Sequence, residues 1–421
     1  MAHNRAFSKI FHFQFLAWLA FLAAAAGTCV ATLQSPQKSA PSAIIAPTQT
    51  GIDVLETEKF APLRGLRVGV ITNQTGVDSQ GRRTIDLLAH ASGVKLVAIF
   101  SPEHGIAGRA DADVSNGTDA ATGLPIYSLY GATRRPTDAM LEHLDALVFD
   151  IQDAGVRFYT FITTMAYCME AAAQHHIAFF VLDRPDPLGG EVIEGPMLDP
   201  GRTSFVGYFA MPVRYAMTLG ELAEMFNAEN KIGAALHVIP MKNWRREETY
   251  GQTGLAWIAP SPNLRNLNAA LLYPGIEILQ DGGVSVGRGT DAPFEIFGAP
   301  WIHAAEFVSA LNLRKIPGVE FAPAQFTPND GLYKGRLCEG ATISITGRAG
   351  LHPMYMGLVI ADELHRLYPD QFQLDKIIGL LGSQSTLDRL QRGDDPAQIV
   401  DGWKVDLAKF AAMRDKYLLY K

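Results

Sequence analysis

The sequence predicts an α/β fold: a Rossmann-like, parallel-sheet N-terminal domain joined to a smaller mixed α/β C-terminal domain. Three observations carry this expectation. Short runs of continuous apolar residues recur between residues 67 and 182, as strands covered on both faces require. Segments with apolar residues spaced three and four apart separate them, which is the period of an amphipathic helix. The 421 residues, 48% hydrophobic and 19% charged, suit two folded units better than one.

Residues 1–31 read as a secretory signal. Arg5 and Lys9 give a positive start, Phe15 to Ala26 is apolar, and Thr28-Cys29-Val30-Ala31 supplies small residues for cleavage. The apolar run falls short of the roughly 20 residues of a membrane span. An uncleaved anchor and a lipid on Cys29 are the two readings that would keep the chain at a membrane. Residues 32–50, rich in Ser, Pro and Gln, form a flexible linker. The expected destination is the periplasm or the cell exterior. Removing the signal leaves Cys168 and Cys338, too few for a disulfide framework. Cys168 lies in an apolar helical stripe and reads as a core residue.

Residues 51–203 form the first domain. Arg67 to Thr72 (RVGVIT) is its first strand and ends in Asn73; Thr84 to Ala91 is helical, with Ile85, Leu88 and Ala89 on one face. Lys95 to Phe100 is the next strand and runs into Ser101-Pro102-Glu103-His104-Gly105. Ala146 to Asp150 and Ile177 to Leu182 are further strands, the last leading into Asp183-Arg184-Pro185. Between them Phe158, Phe161, Ile162, Met165, Met169 and Ala172 mark a helix. Residues 204–421 form the second domain. Thr218 and Glu221 make a capping box, with Met217 and Leu222 as its hydrophobic staple. Strands are expected at His237 to Pro240, Val319 to Phe321 and Ala341 to Ile345, and a helix over Met356 to Leu367.

In an open parallel sheet, ligands sit beyond the carboxyl ends of the strands, where loops converge. Three successive strand exits carry titratable groups: Glu103 and His104, then Asp150 and Asp153, then Asp183 and Arg184. Glu103 follows Pro102, which stiffens the backbone, and precedes Gly105, which permits a tight turn. A carboxyl held rigidly in a partly dry cleft suits a general acid. The plainer alternative is a salt bridge from Glu103 to Arg109 or Arg157. His104 serves as a second catalytic group or orients its neighbour. Asp150, Gln152 and Asp153 could grip sugar hydroxyls, or a hard cation, which also prefers oxygen ligands. The spacing diagnoses no metal site, and sugar contacts are the preferred reading. Tyr159 is placed either to stack on a sugar or to fill the core.

Later in the chain, Ser261-Pro262-Asn263-Leu264-Arg265-Asn266 is rigid and polar, and Asp281 to Asp291 is glycine-rich around Arg288. The Gly287, Gly289, Ala292 spacing mimics a dinucleotide fingerprint, but Pro293 stands where its helix should start. No GxxxxGK[ST], HExxH, CxxC or GxSxG motif occurs, which removes the usual signatures of nucleotide hydrolysis, zinc proteolysis, thiol redox chemistry and serine esterases. The net charge of −7 argues against a nucleic-acid partner. The one basic cluster within the folded body, Lys242-Asn243-Trp244-Arg245-Arg246, reads as a solvated loop edge with one packed Trp.

Taken together, the segments GIDVLE (51–56), GVITNQTGVD (69–78), SPEHG (101–105), FDIQDAGVRFYT (149–160), LDRPDPLGG (182–190), PSPNLRN (260–266) and SVGRGTDAPFEIFGAPW (285–301) resemble the exo-β-N-acetylmuramidase family. The resemblance runs from about residue 51 to the C-terminus. It implies release of N-acetylmuramic acid from the non-reducing end of peptidoglycan fragments, a cleft between two domains, and no organic cofactor. It places Glu103 as the acid, with Asn73, His104, Asp150, Gln152, Asp153, Arg157, Tyr159, Asp183, Arg184 and Glu194 lining the first-domain side. Asn263, Arg265, Arg288 and Thr290 would face them, although Arg265 stands where relatives often carry proline. Arg288 is the first expected grip on the lactyl carboxylate, ahead of Arg184 and Arg157, against a plain pairing with Asp281 or Asp291.

Three function classes compete on these residues. A glycosidase needs a second carboxylate beside Glu103, from among Asp150, Asp153, Asp183 and Glu194. An exported muramyl-sugar-binding protein needs only the cleft. An esterase or amidase needs a nucleophile that the sequence does not display.

Overall fold

The structure is a computed structural model and describes residues 46–110 and 114–421; the signal segment and most of the linker lie outside the described residues. Seven strands form the large sheet: β1 (Arg67–Thr72), β2 (Lys95–Ser101), β3 (Gly117–Thr118), β4 (Pro125–Ser128), β5 (Ala146–Asp150), β6 (Ala178–Leu182) and β7 (Ala235–Ile239). Their order across the sheet is β3-β4-β2-β1-β5-β6-β7, parallel except for the short antiparallel edge strand β3. In the central strands β1 and β5, every residue but Arg67 is buried, which is why they read as unbroken apolar runs. Ile71 stands beside Phe100 on one neighbour and Phe149 on the other, so the register stacks large side chains in rows.

Each face of this sheet has its own core. Helices Gly51–Thr57 and Thr84–His90 bury Ile52, Leu55, Ile85 and Leu88 against Val70, Val148 and Leu182. Helices Phe161–Gln174 and Leu219–Glu229 bury Phe161, Met165, Leu222 and Phe226 against Ile71, Leu147 and Phe149 on the opposite face. Cys168 lies in this second core as expected, and both Cys168 and Cys338 are free thiols. Phe158 belongs to the apolar stripe but precedes the helix, which starts three residues later at Phe161. The capping box forms as read: Thr218 Oγ1 accepts from the Glu221 N–H at 3.3 Å, and Glu221 Oε2 accepts from the Thr218 N–H at 3.0 Å. Met217 and Leu222 are both buried beside it.

The stretch from Ser204 to Ile239, assigned by sequence to the second domain, extends the large sheet, because β7 pairs in parallel with β6 from Ala235 to Ile239. A three-stranded antiparallel sheet follows, β8 (Ile296–Ala299), β9 (Val319–Phe326) and β10 (Cys338–Ile345), with β10 in the middle. Helices Ala304–Leu313 and Pro353–Leu367 bury their apolar faces in the core that also covers one face of the large sheet. That core is continuous, running from Phe149 through Tyr215 and Leu264 to Phe297 and Leu358, and Ala46–Lys421 forms one compact unit. In the basic cluster, Trp244 packs edge-on against Tyr420 at 5.0 Å, but Arg246 is buried and pairs with Glu221 rather than lying in solvent. Among the described residues, no helix is long and apolar enough to cross a membrane.

Candidate active site

The exit of β2 builds the site's first half. Ser101 ends the strand, and Gly105 N–H bonds back to the Pro102 carbonyl at 3.0 Å, closing a tight turn that carries Glu103. His104 and Gly105 both take positive φ, 69° and 72°. For a residue with a Cβ that conformation costs on the order of 1 kcal/mol. Here it is held by His104 Nδ1 against the Ala110 carbonyl at 2.7 Å, and by Arg109 and Ala110 N–H groups on the His104 carbonyl at 3.1 and 3.2 Å. Thr160, the residue before helix Phe161–Gln174, donates its hydroxyl to Glu103 Oε2. Neither Arg109 nor Arg157 pairs with Glu103, so the plainer salt-bridge alternative does not form.

Glu103 and His104 open onto a cavity of about 410 Å3. Its far wall comes from residues 261–331. Tyr273, Glu277 and Gln280, spaced four and three apart at the end of helix Leu267–Ile276 and in the 3-10 turn that follows, present one face to it. Arg288 lies against that face: its Nε donates to Gln280 Oε1 at 2.8 Å and its Nη2 to Glu277 Oε1 at 2.5 Å. Gly289, at φ 77°, lets the Arg288 loop close on residue 330, where a Cβ would stand 2.4 Å from the Asp330 nitrogen. Phe158, Tyr159, Tyr273 and Phe294 form the apolar part of the wall, with ring edges meeting faces at 4.9–6.0 Å. Burial pushes the hydroxyls of Tyr159 and Tyr273 well above the ordinary tyrosine range, so both stay protonated. Glu277, itself buried, has its carboxyl raised by the same desolvation, which outweighs the Arg288 charge beside it.

Of the residues expected from sequence, the structure brings Glu103, His104, Tyr159, Asn263 and Arg288 together around this cavity. The others are given different tasks. Asp150 is fully buried and bonded to Arg184 at 2.6 and 3.0 Å, with the Thr84 hydroxyl as a further donor. The two residues therefore neutralise each other at the carboxyl edge of the sheet. Asp183 accepts from Gly220 N–H at 2.8 Å, Thr218 at 2.7 Å and Tyr420 at 2.6 Å, tying the helix Leu219–Glu229 and the C-terminus to β6. Glu194 accepts from Met354 and Tyr355 N–H at 2.9 and 3.1 Å, in the first turn of helix Pro353–Leu367, where a carboxylate complements the helix dipole. Arg157 spends its two terminal nitrogens on the carbonyls of Pro196, Met211, Leu380 and Leu381, at 2.8–2.9 Å.

The remaining expected residues are local supports. Asp153 accepts from the Gly155 N–H at 2.8 Å and from the Tyr215 hydroxyl; burial raises its carboxyl to about 6. Gln152 donates to the Asp153 and Pro185 carbonyls at 3.0 and 2.8 Å. Asn73 Oδ1 accepts from the N–H and hydroxyl of Thr75, forming an Asx turn after β1. Thr290 bonds the Gly287 carbonyl at 2.6 Å, and Arg265 is exposed, 3.7 Å from Asp291. Among the described residues, no group of three or more His, Cys, Asp and Glu could hold a metal ion.

Sequence reading passed over Tyr273, Glu277 and Gln280, and met Thr160 and Ser261 only as members of longer segments. The signal for Glu277 was present as a lone acid inside an apolar stretch, LLYPGIEIL, with Gln280 one turn on. A second cavity of about 450 Å3 lies elsewhere, lined among others by Leu188, Tyr250, Leu271 and Leu351. It holds none of the residues expected at the site.

Known proteins match the chain over most of its length. Residues 68–268 match the N-terminal domain of exo-β-N-acetylmuramidase NamZ, and residues 271–420 match its C-terminal domain. The peptidoglycan β-N-acetylmuramidase NamZ of Bacillus subtilis (strain 168) is 41% identical over 402 residues, covering 94% of this chain and 96% of that protein. Two crystal structures of DUF1343 family proteins from Bacteroides fragilis NCTC 9343 each cover 89% of this chain and 99% of their own. Their TM-scores are 0.83 and 0.74, at 40% and 31% identity. With both domain matches in chain order and the relative spanning nearly the whole length, the chain belongs to the exo-β-N-acetylmuramidase NamZ family.

Proposed function

We propose that this protein is an exo-acting glycoside hydrolase that releases N-acetylmuramic acid from the non-reducing end of peptidoglycan fragments, with Glu103 as its general acid. The observation that carries the role of Glu103 is its rigid presentation: a stiffened turn at a strand end, an orienting hydroxyl from Thr160, and a cavity in front. The cavity volume falls within the roughly 300–1,000 Å3 usual for small-ligand pockets, which suits a terminal sugar better than a threaded polymer. Its partly apolar lining suits the faces of a sugar ring, and its polar groups suit the hydroxyl, acetamido and lactyl substituents. Pure protein incubated with short wall glycans should release free N-acetylmuramic acid from the non-reducing end. Tight binding without turnover, from mildly acidic to neutral pH, would favour the sugar-receptor reading instead.

Arg288 is the proposed grip on the lactyl group, the substituent that separates muramic acid from N-acetylglucosamine. Its partners include Glu277 and Gln280 and neither Asp281 nor Asp291, and the pair aims the guanidinium along the cavity wall. Because Glu277 offsets part of its charge, discrimination rests on directional bonding more than on net attraction. Arg288→Ala should cost muramides roughly 1.5–3 kcal/mol more in kcat/KM than glucosaminides, the scale of a hydrogen bond to a charged group. An equal fall on both sugars would remove Arg288 from discriminating between them.

Export is proposed as well, in keeping with the same reading. The charged start, apolar run and small-residue exit of residues 1–31 are expected to send the chain to the periplasm or beyond, where wall glycan is found. Native protein should begin after one of the residues from Gly27 to Ala31 on N-terminal sequencing; a chain still starting at Met1 would count against cleavage.

A further inference from the structure

We infer that Glu277 is the second catalytic carboxylate of the site, accepting the proton of the attacking water while Glu103 protonates the leaving oxygen. This rests on the glycosidase reading above. The four acids considered from sequence all come from the first domain, and the structure commits each of them to other partners or to the interior. Glu277 meets the remaining requirements. It lines the same cavity as Glu103, from the opposite wall, and lies close enough for the Glu103 charge to act on it. One of its oxygens is fixed by Arg288 at 2.5 Å, while the other, Oε2, is buried and has no hydrogen-bond partner in the protein.

An unpaired carboxylate oxygen in a buried position is costly and rare in folded proteins. At a cavity wall it becomes intelligible if a water or substrate hydroxyl completes it during the reaction. Tyr273 and Gln280, one helical turn before and after, pack the carboxylate's own element, and Arg288 prevents it from rotating away. Burial raises its proton affinity, which strengthens it as a base and makes it a poor leaving group from a covalent glycosyl ester. With Arg288 holding Oε1 and Oε2 left without a partner, Glu277 is placed to take a proton from water, and a single displacement is assigned rather than a double one.

The step balances without any co-reactant. The bond between C1 of the terminal sugar and the glycosidic oxygen breaks, its electron pair goes to that oxygen, and Glu103 supplies the proton. The water oxygen forms the new bond to C1 and yields its proton to Glu277. The products are free N-acetylmuramic acid with inverted anomeric configuration and the shortened glycan, and solvent returns the proton from Glu277 to Glu103.

Two variants of the full-length mature protein test this. Glu277→Gln should lose at least about 100-fold in kcat on both a muramyl disaccharide and a nitrophenyl muramide, because water activation does not depend on the leaving group. Glu277→Ala should regain turnover with added azide, which needs no base, and yield the glycosyl azide of inverted configuration. Melting temperatures near that of wild type, and retained binding of N-acetylmuramic acid, separate this from misfolding. Glu277→Gln with turnover within about threefold of wild type, no azide rescue, or a first-formed product of retained configuration would each overturn the assignment while leaving the muramidase reading intact. Wild-type protein without turnover would overturn both.

Discussion

Glu103→Gln is expected to lower turnover on natural wall glycan at least about 100-fold, the low end for removing a general acid. Glutamine keeps the size of the side chain and can still accept the Thr160 hydroxyl, so the turn from Pro102 to Gly105 should be undisturbed. What it lacks is a proton for the departing sugar oxygen. The loss should therefore shrink when the leaving group is nitrophenol, which departs without help. That dependence on leaving group distinguishes Glu103 from Glu277, whose removal should hurt both substrates alike. Near-normal turnover of Glu103→Gln on a disaccharide would remove Glu103 from the acid role. Thr160→Val should reproduce a smaller part of the same loss, since it frees the carboxyl without deleting it.

Asp150→Ala is expected to destabilise the fold by about 3–5 kcal/mol, the scale for breaking a buried ion pair and leaving one charge uncompensated. Arg184 is the charge left behind: its side chain is 6% exposed, Asp150 is fully buried, and the remaining bond from Arg184 to the Val77 carbonyl cannot replace a carboxylate. Turnover of the molecules that remain folded should stay within about threefold of wild type. A double variant, Asp150→Leu with Arg184→Met, should recover much of the lost stability, because removing both charges together relieves the desolvation cost. Urea unfolding of the three proteins, read beside kcat, checks this. A collapse of kcat at unchanged stability would return Asp150 to the catalytic machinery.

The two expectations differ because strand exits in a parallel sheet do not all serve one cleft. Their acids look alike in sequence: Glu103, Asp150 and Asp183 each follow an apolar run. Burial separates them. A carboxylate deep in the sheet must be neutralised or saturated with donors. Asp150 finds Arg184, 34 residues away, and Asp183 finds the hydroxyl of Tyr420, 237 residues away. Glu194 meets the helix Pro353–Leu367 across 160 residues. None of these partners is implied by local spacing.

What the sequence by itself determined was everything set by short-range physics. The apolar runs specified buried strands, the Pro102 to Gly105 turn specified a rigid acid at a strand end, and Thr218 with Glu221 specified where a helix begins. Only the tertiary structure decided which charged groups share a cavity. Glu277 stands out in the sequence only as a lone acid in an apolar stretch, and its role emerges once the chain folds its Arg288 loop against it and sets both opposite Glu103. The physical reason is that a carboxylate's role depends on solvent exclusion and on partners brought together by packing, and neither is encoded within a few residues of it.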